Sequence, residues 1–187
     1  SGGTDTIELH GAIGGEIDLR AGQWSQLGLA VQINGGQIQT PDTVRIYHES
    51  LIENATGGDG ADHLIGNDSN NRLAGRGGDD TLIGGAGADS LQGGWGADTF
   101  VLDVHGAYTI EDFSVRDRDR LDLAPVVRQF TGVAAGANPF DTGHLLLAQV
   151  DQDTWLWADL DGVNSGAAPH ALARLLIFFD ETATTES

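Results

Sequence analysis

The sequence predicts an all-β protein: a parallel β-roll solenoid flanked by a lead-in β region and a C-terminal antiparallel β cap. Three observations predict it. From Gly57 the chain repeats every nine residues as GGDGADHLI, GNDSNNRLA, GRGGDDTLI, GGAGADSLQ and GGWGADTFV, five copies that end at Val101. Position eight of each copy is large and apolar: Leu64, Leu73, Leu82, Leu91 and Phe100. Glycine, 28 of 187 residues, falls in register with these Leu and Asp positions, unlike the glycine of a low-complexity chain.

A chain of this length suits one domain, expected over 1–187. Within it the lead-in spans 1–56, the roll 57–103 and the cap 104–187. A solenoid exposes apolar residues at its terminal coils and needs capping there. IYHESLIENA leads into the roll and TFVLD leads out of it.

Each repeat divides into a turn and a strand. Position one is Gly57, Gly66, Gly75, Gly84 and Gly93; position six is Asp62, Asn71, Asp80, Asp89 and Asp98. Glycine reaches positive φ, so carbonyls can turn inward without a Cβ clash. The last three residues form a short strand whose middle side chain points into a narrow apolar core. The pattern is that of calcium-binding parallel β-helix repeats. Ca²⁺ takes about 6–8 oxygens, carbonyl and carboxylate alike, and a turn of carbonyls closed by one Asp supplies them.

Two repeats make one coil, so turns alternate between two edges. A metal is expected between neighbouring turns of one edge, 18 residues apart. On the odd edge Gly58, Gly60 and Asp62 face Gly75, Gly77 and Asp80, and Arg76, Gly78 and Asp80 face Gly93, Trp95 and Asp98. On the even edge Asn67, Ser69 and Asn71 face Gly84, Ala86 and Asp89. Gly85, Gly87, Gly94 and Gly96 complete the candidate ligands within these turns. Most would give only a carbonyl, so side-chain identity matters little there. Asn71 keeps an oxygen and loses the charge, so its gaps should bind calcium more weakly. Asn67 tolerates a left-handed backbone, whereas Arg76 at a Gly position is a departure. A metal-free solenoid is the alternative reading, disfavoured because stacked Asp rows would repel one another.

Composition excludes other classes. The formal net charge is −19, from 28 acidic and 9 basic residues, so a phosphate backbone or anionic membrane surface would be repelled. No apolar run approaches about 18 residues, so no transmembrane helix and no stable membrane insertion are expected. With no Cys, disulfide staples are excluded. The chain begins abruptly at SGGTDT, without a signal peptide, and reads as a fragment of something longer.

The repeats resemble those of the repeats-in-toxin (RTX, haemolysin-type calcium-binding) proteins. The wider chain is similar to the C-terminal domain of serralysin-type secreted metalloproteases. GGTDTIELH and EIDLRAGQWSQLG resemble that family's lead-in strands, and LIENATGGDGADHLIGN its approach to the roll. DTFVL, YTIEDF and DRLDL resemble its exit, and LLLAQVDQDTWLWADLDG with ALARLLIF its terminal hairpin and last strand. The resemblance implies that the Leu51 carbonyl and Glu53 carboxylate meet Asn67, Ser69 or Asn71 on the even edge. It also implies that Gly2, Gly3 and Asp5 form part of a further site, and that Asp119 is a ligand at the exit. A second exit Asp of the family has no counterpart, Thr109 standing closest, and Asp103 could substitute. The chain ends FFDETATTES, where the family carries an acidic-hydrophobic secretion signal.

The function implied is that of a calcium-binding RTX domain that folds on binding Ca²⁺ outside a bacterial cell. It would support type I secretion and folding of an upstream catalytic domain, a secreted metalloprotease being the expected one. Its partners would then be that domain of the same polypeptide and the type I secretion apparatus. The competing class is a polysaccharide-binding module like those of alginate epimerases, or an adhesin-type module. Nine Arg against 28 acids do not make the basic stripe an acidic glycan requires, so glycan binding is the less favoured reading.

Catalysis is not expected of this chain. The HExxH zinc motif is absent, and His10, His48, His63, His105, His144 and His170 include no i, i+4 pair. Ser25 and Ser50 lack a glycine-flanked elbow. DQDTWLWADLDG contains fragments of an EF-hand loop but not its Glu at position twelve, so a hairpin turn is expected. Trp155 and Trp157 share a strand face and are expected to pack as core.

Overall fold

The computed structural model describes residues 4–26, 30–33, 36–39, 44–47, 50–161 and 168–176. Gly2, Gly3, His48 and the segment FFDETATTES lie outside the described residues. The chain opens with β1 (Thr6–Glu8), β2 (Glu16–Asp18) and β3 (Trp24–Ser25). A hairpin of β4 (Ala30–Ile33) and β5 (Gly36–Gln39) follows, and β6 (Val44–Arg45) pairs antiparallel with β3. Next come β7 (Asn54–Thr56), β8 (His63–Ile65), β9 (Arg72–Gly77), β10 (Thr81–Ile83), β11 (Gly87–Trp95) and β12 (Thr99–Val101). The exit holds β13 (Gly106–Ile110), β14 (Arg120–Asp122) and the single-turn helix α1 (Ala124–Val127). The end of the chain contributes β15 (Leu145–Val150), β16 (Asp153–Ala158) and β17 (His170–Leu175).

Two sheets face one another across a narrow core. One runs β1-β7-β9-β11-β13, continued by β17-β16-β15; the other runs β14-β12-β10-β8-β2. All pairs within the roll are parallel, as a coil that always winds one way requires. The nine-residue period sets the register: Leu64 pairs with Leu82 and Leu82 with Phe100, while Ala55, Leu73, Leu91 and Ile110 stack on the opposite sheet. Every one of these side chains is fully buried. Each large one contributes roughly 2 kcal/mol of apolar burial.

Parallel stacking continues past the five repeats at both ends. β1 pairs with β7 and β2 with β8, which sets Ile17 against Leu64 as another fully buried inward residue. The lead-in strands are therefore coils of the same roll. The turn before β2 carries no Gly-Asp signature, because Gly15 stands where the aspartate would fall, whereas Asp5 takes that place before β1 and its N–H donates to Glu53 Oε2. At the exit, β13 and β14 add one strand to each sheet.

The cap is antiparallel, as expected. β15 and β16 form a hairpin closed by Asp151 and Gln152, with Asp151 in the left-handed region (φ 57°) that tight two-residue turns demand. The EF-hand fragments therefore belong to a hairpin. β16 pairs with β17, and β17 joins the roll through β13. The tryptophans depart from expectation. Leu156 and Ala158 point into the core, whereas Trp155 and Trp157 lie half-buried on the opposite face. Their rings stack 6.1 Å apart, and the Arg174 guanidinium covers Trp155. Period-2 spacing puts both on one face, and the aliphatic residues between them claim the core.

Candidate metal centre

The turns are held in register by their position-six side chains. The Asp62 N–H donates to Asp80 Oδ1 at 2.7 Å, Asp80 N–H to Asp98 Oδ1 at 2.9 Å, and Asp98 N–H to Asp119 Oδ1 at 3.0 Å. Gly15 N–H starts this ladder on Asp62 Oδ1 at 2.7 Å. On the even edge, Asn71 N–H donates to Asp89 Oδ1 at 2.9 Å. One carboxylate oxygen per turn is thus committed to stapling it to the turn one coil earlier.

The position-six oxygen not used in this ladder separates the turns into two classes. In the first repeat, Asp62 Oδ2 accepts the Gly58 N–H at 2.6 Å, and in the second, Asn71 Oδ1 accepts the Asn67 N–H at 2.7 Å. In the other three repeats it has no partner: Asp80 Oδ2, Asp89 Oδ2 and Asp98 Oδ2 are buried and unpaired among the described residues. Backbone conformation follows the same division. Positions two and four are left-handed at Arg76, Gly78, Gly85, Gly87, Gly94 and Gly96, and at none of Gly58, Gly60, Asn67 or Ser69. A buried carboxylate oxygen without a hydrogen bond is expensive, so three such atoms in register ask for a cation.

In the first three repeats the position-six oxygen lies beside the position-one carbonyl of the next turn on its edge. A methyl group on Gly75 would collide with Asp80 Oδ2 and lie 2.6 Å from the Gly93 carbonyl. One on Gly57 would strike Asp62 Oδ2 and lie 2.6 Å from the Gly75 carbonyl; one on Gly66 would strike Asn71 Oδ1 and the Gly84 carbonyl. Glycine at position one is what leaves these oxygen-lined gaps open. Among the described residues no three Asp, Glu or His side chains converge, so the ligand sets are carbonyl-rich with few carboxylates. That composition suits a hard cation such as Ca²⁺.

The electrostatics agree. Burial pushes the Asp80 carboxyl up to about 7, against the opposing hydrogen bond from the Asp62 N–H and with help from the charges of Asp98, Asp62 and Asp79. Burial also pushes Asp89 and Asp98 up to about 6 each. Asp112 and Asp119 are raised for the same first reason. Carboxylates this reluctant to ionise alone are stabilised by an adjacent cation.

The predicted ligands fall as follows. Gly58, Gly60 and Asp62 stack on Gly75, Gly77 and Asp80; Arg76, Gly78 and Asp80 stack on Gly93, Trp95 and Asp98. Two candidate carbonyls already accept turn N–H groups: Gly58 from Gly77 at 3.3 Å and Trp95 from Gly78 at 2.9 Å. Arg76 holds its left-handed position (φ 81°) and pairs with Glu8. Asn67, Ser69 and Asn71 stack on Gly84, Gly85, Gly87 and Asp89.

Leu51 lines a shallow hollow of about 330 Å³ with Asn67 and Ser69, while the Glu53 carboxylate accepts the Asp5 N–H at 2.8 Å. Amide groups bridge that gap, Asn71 Nδ2 donating to the Glu53 carbonyl at 2.9 Å and Asn67 Nδ2 to Ile52 at 2.8 Å. At the exit Asp119 takes the position-six place, but its Oδ2 accepts the Ser114 N–H at 2.8 Å. Asp103 accepts the N–H of His105 within its own loop.

Sequence reasoning missed Asp112, whose two oxygens accept the Gly93 and Gly94 N–H groups at 2.9 Å each. Asp112 stands outside the nine-residue period, so no spacing signal marks it. Thr109, the residue nearest the family's missing second exit Asp, pairs with Ser90, and the register sets its neighbour Tyr108 opposite Asp89.

Stacked turns, unpaired aspartate oxygens and inward carbonyls define a calcium-binding parallel β-roll. Comparison with family models bears this out: residues 52–82 and 75–103 match the RTX calcium-binding nonapeptide repeat. Repeats of this kind bind Ca²⁺ at several sites. A comparison with curated proteins found no match.

Proposed function

We propose that this chain is a folding module switched on by calcium. Its ions lie in three gaps: between the Gly58–Asp62 and Gly75–Asp80 turns, between the Arg76–Asp80 and Gly93–Asp98 turns, and between the Asn67–Asn71 and Gly84–Asp89 turns. The observation that carries this reading is the set of unpaired buried carboxylate oxygens of Asp80, Asp89 and Asp98 within these stacked turns. The amide-bridged gap at Leu51 and Glu53 fills last, and the exit at Asp119 is a weaker site because both oxygens of that carboxylate are already bonded. Bound calcium supplies positive charge between the acidic turns. The chain's own part is to present carbonyls at fixed spacing and to keep water from Asp80, Asp89 and Asp98.

Without calcium the acidic turns repel, and a glycine-rich chain loses much conformational freedom on ordering. Calcium binds only the folded state and stabilises it by mass action. Extracellular modules of this kind bind at about 10⁻⁴ to 10⁻³ M, so the module stays open inside a bacterial cell and closes outside. This suits export of an unfolded chain by a type I secretion apparatus, followed by folding of an upstream catalytic domain such as a secreted metalloprotease. RTX repeats are typical of secreted bacterial proteins, which supports the extracellular placement.

Circular dichroism of the chain with chelator and with millimolar calcium tests the core of the proposal. β content should rise steeply on adding calcium; equal spectra in both conditions would sink it.

A further inference from the structure

The even edge has a gap beyond Asp89, between the Gly84–Asp89 turn and the exit strand β13, and it is built differently from the others. At Gly57, Gly66 and Gly75 a methyl group would meet the turn's own position-six oxygen and the position-one carbonyl of the next turn. At Gly84 it would meet Asp89 Oδ2 and, in place of the carbonyl, Cε1 of Tyr108 at 2.8 Å. The register confirms the substitution, since Tyr108 pairs with Asp89 across β11 and β13.

The ring is buried, and Gly106 leaves room for it: a methyl there would strike the Tyr108 ring and hydroxyl. The hydroxyl donates to the Gly85 carbonyl at 2.8 Å and accepts from the Asp103 N–H at 3.3 Å. Gly85 is in the left-handed conformation that turns its carbonyl inward, as Arg76 and Gly94 are at the same position of their repeats. An oxygen presented as a metal ligand is therefore satisfied by a phenol.

We infer that Tyr108 is the residue that ends the even row of calcium sites, its ring filling the last gap and its hydroxyl satisfying the Gly85 carbonyl. This rests on the calcium-binding reading above and adds to it a limit on where ions go. The position explains the use. β13 pairs with β11 on one side and β17 on the other, with Tyr108 opposite Ala173. The three-stranded cap is thus joined to the roll across a seam closed by protein hydrogen bonds, so docking of β15, β16 and β17 does not depend on an ion there.

Calcium stoichiometry by equilibrium dialysis of the full chain, with Tyr108→Phe and Tyr108→Asp beside wild type, tests the assignment. Tyr108→Phe should keep the wild-type count, because the ring still fills the gap. Tyr108→Asp should bind one more ion, because a carboxylate then faces Gly85 and Asp89. A count that falls by one in Tyr108→Phe would overturn the inference, since the hydroxyl would then be a ligand. So would a folded Tyr108→Asp with the wild-type count. A crystal structure of the calcium-loaded wild-type chain decides the matter if Tyr108→Asp does not fold. A direct hydroxyl contact to Gly85 supports the inference, and an ion between them refutes it. Failure of wild type to bind any calcium would instead refute the calcium-binding reading itself.

Discussion

Replacing Asp80 by Asn should stabilise the roll without calcium and weaken it with calcium, an opposition that few other mechanisms produce. Asp80 is 1% exposed, staples the Asp62 turn through Oδ1 and leaves Oδ2 unpaired toward a gap. Burial raises its carboxyl from 3.8 to about 7, so at pH 8 its charge costs the cation-free fold ~4 kcal/mol relative to the unfolded chain. Asparagine removes that charge while keeping an oxygen for the Asp62 N–H. A gain of even half this size is large beside the roughly 5–15 kcal/mol that holds a typical domain together. In calcium the same change deletes a charged ligand, and affinity follows ligand charge. The calcium midpoint for folding should rise about tenfold, or ~1.4 kcal/mol.

Urea denaturation followed by circular dichroism at pH 8, in chelator and in 10 mM calcium (about tenfold above the upper end of the expected range), reads both effects. The Asp80→Asn variant should hold more structure than wild type in chelator and unfold at lower urea in calcium. Loss of stability in both conditions would mean that Asp80 is an ordinary structural hydrogen-bond partner, and the metal argument built on its second oxygen would fall.

Acidification should partly replace calcium. Asp80, Asp89 and Asp98 have folded values of about 7, 6 and 6, above the ordinary 3.8, so folding takes up protons. Their contribution is present in full below about pH 4 and is lost as pH rises through 6 to 7. β content in calcium-free buffer should therefore grow between pH 8 and pH 5, and a flat titration would count against the burial of these charges. Arg76→Gly should raise stability in saturating calcium by ~1 kcal/mol, because a left-handed backbone costs a non-glycine residue about 1–2 kcal/mol. The exposed pair with Glu8 offsets little of that. The melting temperature should rise by about 2–4 °C; an unchanged or lower value would show that the pair matters more than the strain. Trp95→Ala should leave the calcium midpoint within about twofold of wild type, since the side chain is 85% exposed and only the carbonyl lies at the site. A tenfold shift would assign the indole a role in the turn.

The roll was legible because one nine-residue period carries two signals at once, an inward apolar residue and a turn that needs glycine and aspartate. Where one signal lapses, so does legibility. Ile17 keeps the inward position, but with Gly15 in the aspartate's place its three-residue strand cannot be told from any other short apolar run. Asp112 and Tyr108 act across coils from outside the period, so only the fold brings them to Gly93 and Gly85. The Trp155 and Trp157 face was misjudged because alternation says which residues share a side, not which side is buried.

The ladder of position-six side chains also implies how calcium acts along an edge. Asp80 Oδ1 holds the turn before it, while Asp80 Oδ2 lies beside Gly75 with the Gly93 carbonyl of the turn after it, so one turn contributes to the gaps on both of its sides. Ordering one gap therefore fixes half the ligands of the next, so the two odd-edge sites should fill together. The even edge has Asn-based bridges on one side of its single unpaired oxygen and Tyr108 on the other. Among the described residues no adjacent gap there carries a second unpaired carboxylate, so its filling should be independent and shallow. The same nine-residue repeat thus yields a cooperative edge and a solitary site, and the difference comes from Asn71 and Tyr108 standing where aspartates would extend the row.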